Sequence, residues 1–147
     1  MIKLFSFCIV AIIFVSGCNA SKTKTTTTGD PLTANEWRLT ELQGVPITAT
    51  VISNQDITLK FTRDGNRVSG FSGCNTFGGS YTTPAPTKLT FSQMMSTMKA
   101  CATHMDLEAA YLKMLQEVDN YSVNGTTLNL HKAKMAPIAR FEAVRAK

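Results

Sequence analysis

The sequence predicts an α+β domain in which a small antiparallel curved sheet, or a flattened partial β-barrel, is combined with one helix. Two patterns in the 147-residue chain support this class. Apolar and polar residues alternate through much of the chain after residue 30, as they do in half-buried strands. One late segment instead repeats its apolar residues with helical spacing. Several strands with a single late helix are typical of an antiparallel sheet curled around or against that helix.

The strands follow from the alternation with period two. Trp37 and Leu39 alternate with polar neighbours, and the pattern recurs at Ile57, Leu59 and Phe61. The remaining predicted strands are residues 68–71, 121–123, 128–130 and 138–144. A glycine-rich segment, residues 73–81, is predicted to be a bulged or sharply bent strand, because glycine permits close backbone approach.

Two turns are predicted between these strands. Residues 63–66 read Arg-Asp-Gly-Asn, a composition typical of a hairpin connection. Asn124 and Gly125 predict a type I′ turn, because both residues tolerate the positive φ that this turn requires.

The helix is predicted from six apolar residues that share one face. They follow the spacing i, i+3, i+4, i+7, i+8 and i+11, and they are Leu107, Ala110, Tyr111, Met114, Leu115 and Val118. Thr103 followed by Asp106 is close to a capping box, so the helix is predicted to start there.

The N-terminus predicts export to the cell envelope. One positive charge precedes an apolar run, residues 4–15, which is shorter than the roughly 20 residues that a membrane span needs. Val-Ser-Gly-Cys follows at once, ending at Cys18, as in a bacterial lipobox. Residues 1–17 are therefore predicted to be a lipoprotein signal peptide, and Cys18 the lipidated residue that anchors the chain to a membrane. The alternative is an ordinary signal peptide with a chance cysteine.

Between the lipid and the domain the sequence predicts a tether. Residues 18–30 comprise the lipidated cysteine and a polar stretch rich in threonine that cannot bury enough surface to fold. As a flexible coil it holds the domain, residues 31–147, about 20 Å from the lipid. Asn19 is not the aspartate that retains lipoproteins at the inner membrane of enteric bacteria. We therefore expect the periplasmic face of the outer membrane.

The charge of the chain bears on its partners. The net charge is +5, and loss of Lys3 with the signal peptide leaves +4. The basic residues are scattered and form no arginine-rich stripe, so a nucleic-acid partner is not expected. The expected state is a monomer without a cofactor.

The cysteines predict one disulfide. Of the four, Cys8 leaves with the signal peptide and Cys18 carries the lipid, so Cys74 and Cys101 remain. Two thiols in an oxidising compartment are expected to pair. Closing this loop stabilises the domain by about 3.5 kcal/mol in the entropic account of disulfides. A redox pair and a zinc site remain as weaker alternatives, since the spacing is not C-x-x-C and further ligands are scarce.

The sequence indicates no catalytic set, and we predict that the protein is not an enzyme. His104 and His131 are its only histidines, and the carboxylates show no pairing suited to acid-base chemistry. Residues 96–99 fit S-x-x-K, the motif of penicillin-recognising enzymes. The partner motifs are absent from the sequence, and the chain is too short for that fold.

A group of methionines predicts a candidate binding groove. Met94, Met95 and Met98 lie close together in the sequence, and methionines lining a curved sheet make an adaptable apolar surface for a lipid or peptide. The same residues with Met105 and His104 could hold Cu(I). Core or groove lining is the favoured interpretation, because the spacing is not a repeated M-x-x-M array. No metal site is therefore predicted.

Three segments together carry a family resemblance, and they are EWRL at residues 36–39, GFSGCNTFGGSY at residues 70–81 and TMKAC at residues 97–101. They resemble the META domain, the family of the heat-shock-inducible HslJ lipoproteins of bacteria. Glu108, Tyr111 and the predicted hairpin at residues 121–130 fit the same pattern. The resemblance covers nearly all of residues 31–141 and implies a flattened partial barrel with one helix. It also implies a link to envelope stress and antibiotic tolerance, without a shared enzymatic activity.

These observations predict a lipid-anchored envelope protein that acts as a binding or stability module, with a hydrophobic ligand or an envelope protein as partner. The alternative is a small periplasmic inhibitor of a hydrolase. Lysozyme-inhibitor lipoproteins likewise pair a lipobox with a disulfide-tied β-barrel. A protruding loop with a ligand-like side chain would favour the inhibitor, whereas a continuous apolar groove would favour the binding module.

The predicted lipid anchor can be tested directly. Cys18→Ala should abolish incorporation of a palmitate analogue and leave an uncleaved precursor, because the thiol is the acceptor of the lipid. Cys8→Ala, in the removable segment, should label like the wild type. Equal labelling of the Cys18→Ala protein would contradict the lipobox.

Overall fold

The computed structural model describes residues 30–48 and 55–144. The predicted signal peptide, Cys18 and almost all of the predicted tether lie outside the described residues. Within the described ranges, no helix is both long enough and apolar enough to cross a membrane.

The described part of the chain forms one antiparallel sheet, one α-helix and a short 3-10 helix at Asp64–Asn66, within the turn predicted at residues 63–66. The elements are β1 (Glu36–Leu42), β2 (Val45–Pro46), β3 (Thr58–Thr62), β4 (Arg67–Phe71), β5 (Thr76–Thr82), β6 (Thr90–Ser96), α1 (Met105–Glu117), β7 (Asn120–Asn124), β8 (Thr127–His131) and β9 (Ala139–Ala143). The strand order is β6-β5-β4-β3-β1-β9-β8-β7, with the short β2 paired to β1. This confirms the predicted α+β class.

The sheet curls until the residues just before β6 meet β7. Lys88, just before β6, forms an isolated antiparallel bridge with Asn120 of β7. The amide of Tyr121 donates to the carbonyl oxygen of Thr87 at 2.9 Å. These contacts pair backbone groups that the edges of an open sheet would leave free. The result is the predicted partial barrel, closed over a short stretch.

The inward faces of the strands form the core. The residues predicted from the alternation are all buried, and they are Trp37, Leu39, Ile57, Leu59 and Phe61. Leu32, which precedes β1, is also fully buried, and its carbonyl oxygen accepts a hydrogen bond from the indole of Trp37 at 2.9 Å. The segment that leads into the domain is therefore part of its core.

Helix α1 packs onto the inner face of the curled sheet through Tyr111. The ring of Tyr111 lies 5.7 Å from that of Phe77 on β5 and 6.4 Å from that of Phe141 on β9. Its hydroxyl donates to the carbonyl oxygen of Thr58 at 3.3 Å, and burial raises the pKa of Tyr111. The predicted apolar stripe thus faces the sheet, with Met114 and Leu115 also buried.

Helix α1 starts at Met105, between Thr103 and Asp106 as predicted, but the predicted cap is wrong. The residue before the first turn is His104, which has a left-handed backbone (φ 72°) and no capping side-chain hydrogen bond. Thr103 therefore lies one residue too early to cap. Asp106 and Glu108 in the first turn instead place negative charge near the positive end of the helix dipole.

The predicted type I′ turn is also wrong. Asn124 pairs with Thr127, so the two central residues of the turn are Gly125 and Thr126. Gly125 has a positive φ of 58°, whereas Thr126 does not. A positive φ at the first central residue alone, with glycine there, is typical of a type II′ turn. Asn124 is instead the last residue of β7.

Gly70 marks a place where the curled sheet leaves no room for a side chain. A Cβ atom there would lie 2.0 Å from the carbonyl oxygen of Thr58 and 2.8 Å from the ring of Phe77. At Gly78, on the neighbouring strand, the nearest atom is the carbonyl oxygen of Val68 at 3.6 Å, an ordinary contact.

Gly70→Ala should therefore lower the free energy of unfolding by about 3 kcal/mol, because backbone atoms must move to admit the methyl group. Gly78→Ala is the matched control and should change it by less than about 1 kcal/mol. Urea denaturation of the two variants measures both values. Similar losses in the two variants would contradict the steric account.

Candidate functional site

A groove of about 320 Å³ lies between the chain that follows β6 and the start of α1. Residues 96–100 line one side, and Met105, Glu108 and Leu112 of α1 line the other. Asn75 contributes to the lining from the segment between β4 and β5. The groove therefore depends on three parts of the chain.

The side chain of Asn75 joins these three parts, and it is almost completely buried. Its Oδ1 atom accepts hydrogen bonds from the hydroxyl of Thr97 and the amide of Lys99, both at 2.8 Å. Its Nδ2 atom donates to the carbonyl oxygen of Lys99 at 3.1 Å and to the carboxylate of Glu108 at 3.0 and 3.2 Å. The Oδ1 atom thus binds the wall formed by residues 96–100, and the Nδ2 atom joins that wall to Glu108 on the other.

A tight turn between β4 and β5 positions Asn75. The amide and the hydroxyl of Ser72 both donate to the carbonyl oxygen of Asn75, at 2.8 and 2.7 Å. The pairing of β5 with β6 is irregular between Gly78 and Ser80. The glycine-rich segment is therefore a turn followed by a bulged pairing, as the sequence predicts.

A disulfide links the same turn to Cys101, just after the wall formed by residues 96–100. Cys74 and Cys101 are bonded, with their Cα atoms 6.0 Å apart, which confirms the predicted pair. Cys74 precedes Asn75, and Cys101 ends the segment that Asn75 binds. The backbone from Thr97 to Cys101 is thus held by the amide near its start and by the disulfide at its end.

Glu108 is a buried acid in the wall of the groove, with 6% of its surface exposed. The ion pairs of the described residues join Arg38 to Glu142, Lys132 to Glu117 and Arg140 to Glu41. Glu108 takes part in none of them. Its carboxylate is instead stabilised by the amide of Asn75 and by its place in the first turn of α1.

The three methionines of the predicted groove lie in different surroundings. Met98 lines the groove and is 99% exposed. Met94 is half-buried and packs against the core, and Met95 is exposed on β6 opposite Gly78. Their role in binding stays a prediction.

Sequence reasoning missed the helical side of the groove. Met105, Glu108 and Leu112 follow the spacing i, i+3 and i+7, which places them on one face of α1. That spacing is visible in the sequence, next to the stripe that forms the core. The link from Glu108 to Asn75 crosses 33 positions and carries no local pattern.

The other candidate residues lie in ordinary surroundings. His131 approaches the hydroxyl of Ser122 and the carbonyl oxygen of Met135, both at 3.3 Å. The hydroxyl of Ser96, in the S-x-x-K sequence, donates to a backbone carbonyl oxygen at 3.1 Å. Within residues 30–48 and 55–144, no group of three His, Cys, Asp or Glu side chains is placed to hold a metal ion.

Comparison with known proteins gives a family and a fold. The family model of the META domain matches residues 30–145. No curated protein matches the chain significantly.

Three solved structures have a similar fold. An NMR structure of a protein from Burkholderia xenovorans has 25% sequence identity and a TM-score of 0.63, covering 90% of this chain and all of that one. Another protein solved by NMR has 22% identity and a TM-score of 0.60, covering 78% of this chain and 95% of the other. A crystal structure of a DUF4847 family protein from Bacteroides vulgatus has 13% identity and a TM-score of 0.55. It covers 79% of this chain and 96% of its own chain.

The disulfide should contribute strongly to stability. Cys74→Ser and Cys101→Ser should each lower the free energy of unfolding by about 3 kcal/mol, because each frees the same loop. The double variant should lose little more than either single one, since the bond acts as one unit. Denaturation of all three proteins checks this. Additive losses, or two free thiols titrated in the native domain, would contradict it.

Proposed function

The chain belongs to the META domain family, and from that premise we propose that its domain is a non-enzymatic binding module with an apolar ligand in the groove beside α1. The exposure of Met98 carries this proposal. Its side chain is 99% exposed in a groove that also contains Met105 and Leu112. A solvent-exposed apolar side chain in a concave site gains free energy when a ligand covers it.

The construction of the groove also suits binding. The backbone from Thr97 to Cys101 is fixed by Asn75 and the disulfide, whereas Met98 and Met105 have flexible side chains. A rigid frame reduces the entropy lost on binding, and methionine adapts its shape to different apolar surfaces. The side chains of Asn75 and Thr97 are hydrogen-bonded to each other within the wall. Their polar groups are thus already paired, which leaves the apolar side chains of the groove to contact a ligand.

We place this module in the cell envelope, anchored through Cys18 to the outer membrane and facing the periplasm. The lipobox and the polar composition of residues 18–30 support this location. A tether of about 20 Å would keep the groove close to the membrane at high effective concentration, so a weak ligand affinity would suffice. The proposed role is in envelope stress and antibiotic tolerance, by resemblance to the HslJ lipoproteins.

Dye binding tests the groove. Residues 31–147, which contain the whole described core, should bind an environment-sensitive hydrophobic dye while fully folded. Met98→Gln should weaken dye binding about fivefold, because a polar amide replaces apolar contact area. Met135→Gln is the matched control, since Met135 is also exposed, at 64%, but does not line the groove.

Two outcomes would count against the proposal. Equal dye affinity in the Met98→Gln and Met135→Gln proteins would exclude the groove as the binding site. A tight complex with a lysozyme or a protease, formed without any dye binding, would favour the hydrolase inhibitor instead. Circular dichroism and melting curves of each variant show whether the fold is retained.

A further inference from the structure

We infer that the groove selects a cationic amphiphile, a small molecule with an apolar body and a primary ammonium group, and that Glu108 is its counter-ion. This inference rests on the proposed function and names the ligand class for the same site. Its basis is the pairing of an apolar groove with one buried carboxylate.

The carboxylate of Glu108 has spare capacity to accept hydrogen bonds. Both of its oxygens lie near a single donor atom, Asn75 Nδ2, at 3.0 and 3.2 Å. The same Nδ2 atom also donates to the carbonyl oxygen of Lys99 at 3.1 Å, so one of its two hydrogens is already directed elsewhere. A carboxylate can accept about four hydrogen bonds. An ammonium group in the groove could therefore donate to Glu108 without displacing Asn75.

Burial makes this charge a strong partner. Glu108 is 6% exposed, and none of the ion pairs among the described residues includes it. A charge with little hydration attracts an opposite charge more strongly than a solvated one does. The carboxylate is also held in position by Asn75, so less side-chain freedom is lost when a ligand binds.

Lys99 also lines the groove and could in principle attract an anion instead. Its backbone forms the hydrogen bonds to Asn75, and the residue is exposed. Attraction to a hydrated, mobile ammonium group is weakened by water and salt. Because of the buried carboxylate, the groove is therefore expected to prefer a positively charged ligand to a negatively charged one.

The remaining lining fits the apolar body of such a ligand. Met98 and Met105 are exposed, and Leu112 is half-buried on the same wall as Glu108. The groove volume of about 320 Å³ lies at the lower end of the roughly 300–1,000 Å³ typical of small-molecule sites. A short alkyl chain ending in an ammonium group matches both the volume and the charge.

Three probes with the same alkyl chain test this inference. Octylammonium, octanol and octyl sulfate are titrated calorimetrically into the chain lacking residues 1–18, which retains the tether and the whole described core. Octylammonium should bind about tenfold more tightly than octanol, the gain expected for a hydrogen bond to a charged group. Octyl sulfate should bind more weakly than octanol.

Glu108→Gln should abolish the preference for octylammonium over octanol, because the amide carries no charge to pair with the ammonium group. Glu117→Gln is the matched control, because Glu117 lies on the same helix, pairs with Lys132 and does not line the groove. Lys99→Met should raise octylammonium affinity, since it removes a competing positive charge. If Glu108→Gln does not fold, the inference is tested by the order of the three probe affinities, measured for the unmodified chain and for Lys99→Met.

The outcomes separate the two proposals. Comparable affinities of all three probes would overturn the role of Glu108, but they would agree with the proposed apolar binding site. Preference for octyl sulfate, lost in Lys99→Met, would overturn the inference in favour of an anionic ligand. Failure of every probe to bind would overturn the inference and the proposed function together.

Discussion

The amide of Asn75 is the interaction on which the described architecture most depends. It links the turn between β4 and β5, the backbone that follows β6, and the first turns of α1. A buried amide is stabilising only when all of its hydrogen-bonding capacity is used, and here every donor and acceptor has a partner. Each wall of the groove contains a group that Asn75 binds, so this side chain fixes the two walls relative to each other.

A second convergence lies at Thr58 on β3. Its carbonyl oxygen accepts a hydrogen bond from the hydroxyl of Tyr111, and the backbone of Gly70 approaches the same oxygen. Helix α1 and strand β4 therefore both contact β3 at this carbonyl oxygen. The same curled sheet brings residues 87–88, just before β6, to β7.

The sequence was informative where structure is set by neighbours along the chain. Alternation identified the inward face at Trp37 and Phe61, and helical spacing identified Tyr111. The errors at His104 and Gly125 arose because a cap and a turn type depend on the register of one residue, which tertiary contacts decide. The contact of Glu108 with Asn75 could not be predicted, because it joins distant residues through neither periodicity nor motif.

The position of β1 in the sheet determines when this chain can finish folding. β1 is the first strand among the described residues, yet it lies near the middle of the sheet and pairs with β9, the last of these strands. Arg38 and Glu142, which face each other across this pair, are 104 positions apart. The two halves of the sheet cannot join until β9 has been synthesised, and such distant pairing is slow. Completion of the sheet is therefore a late event in the folding of this domain.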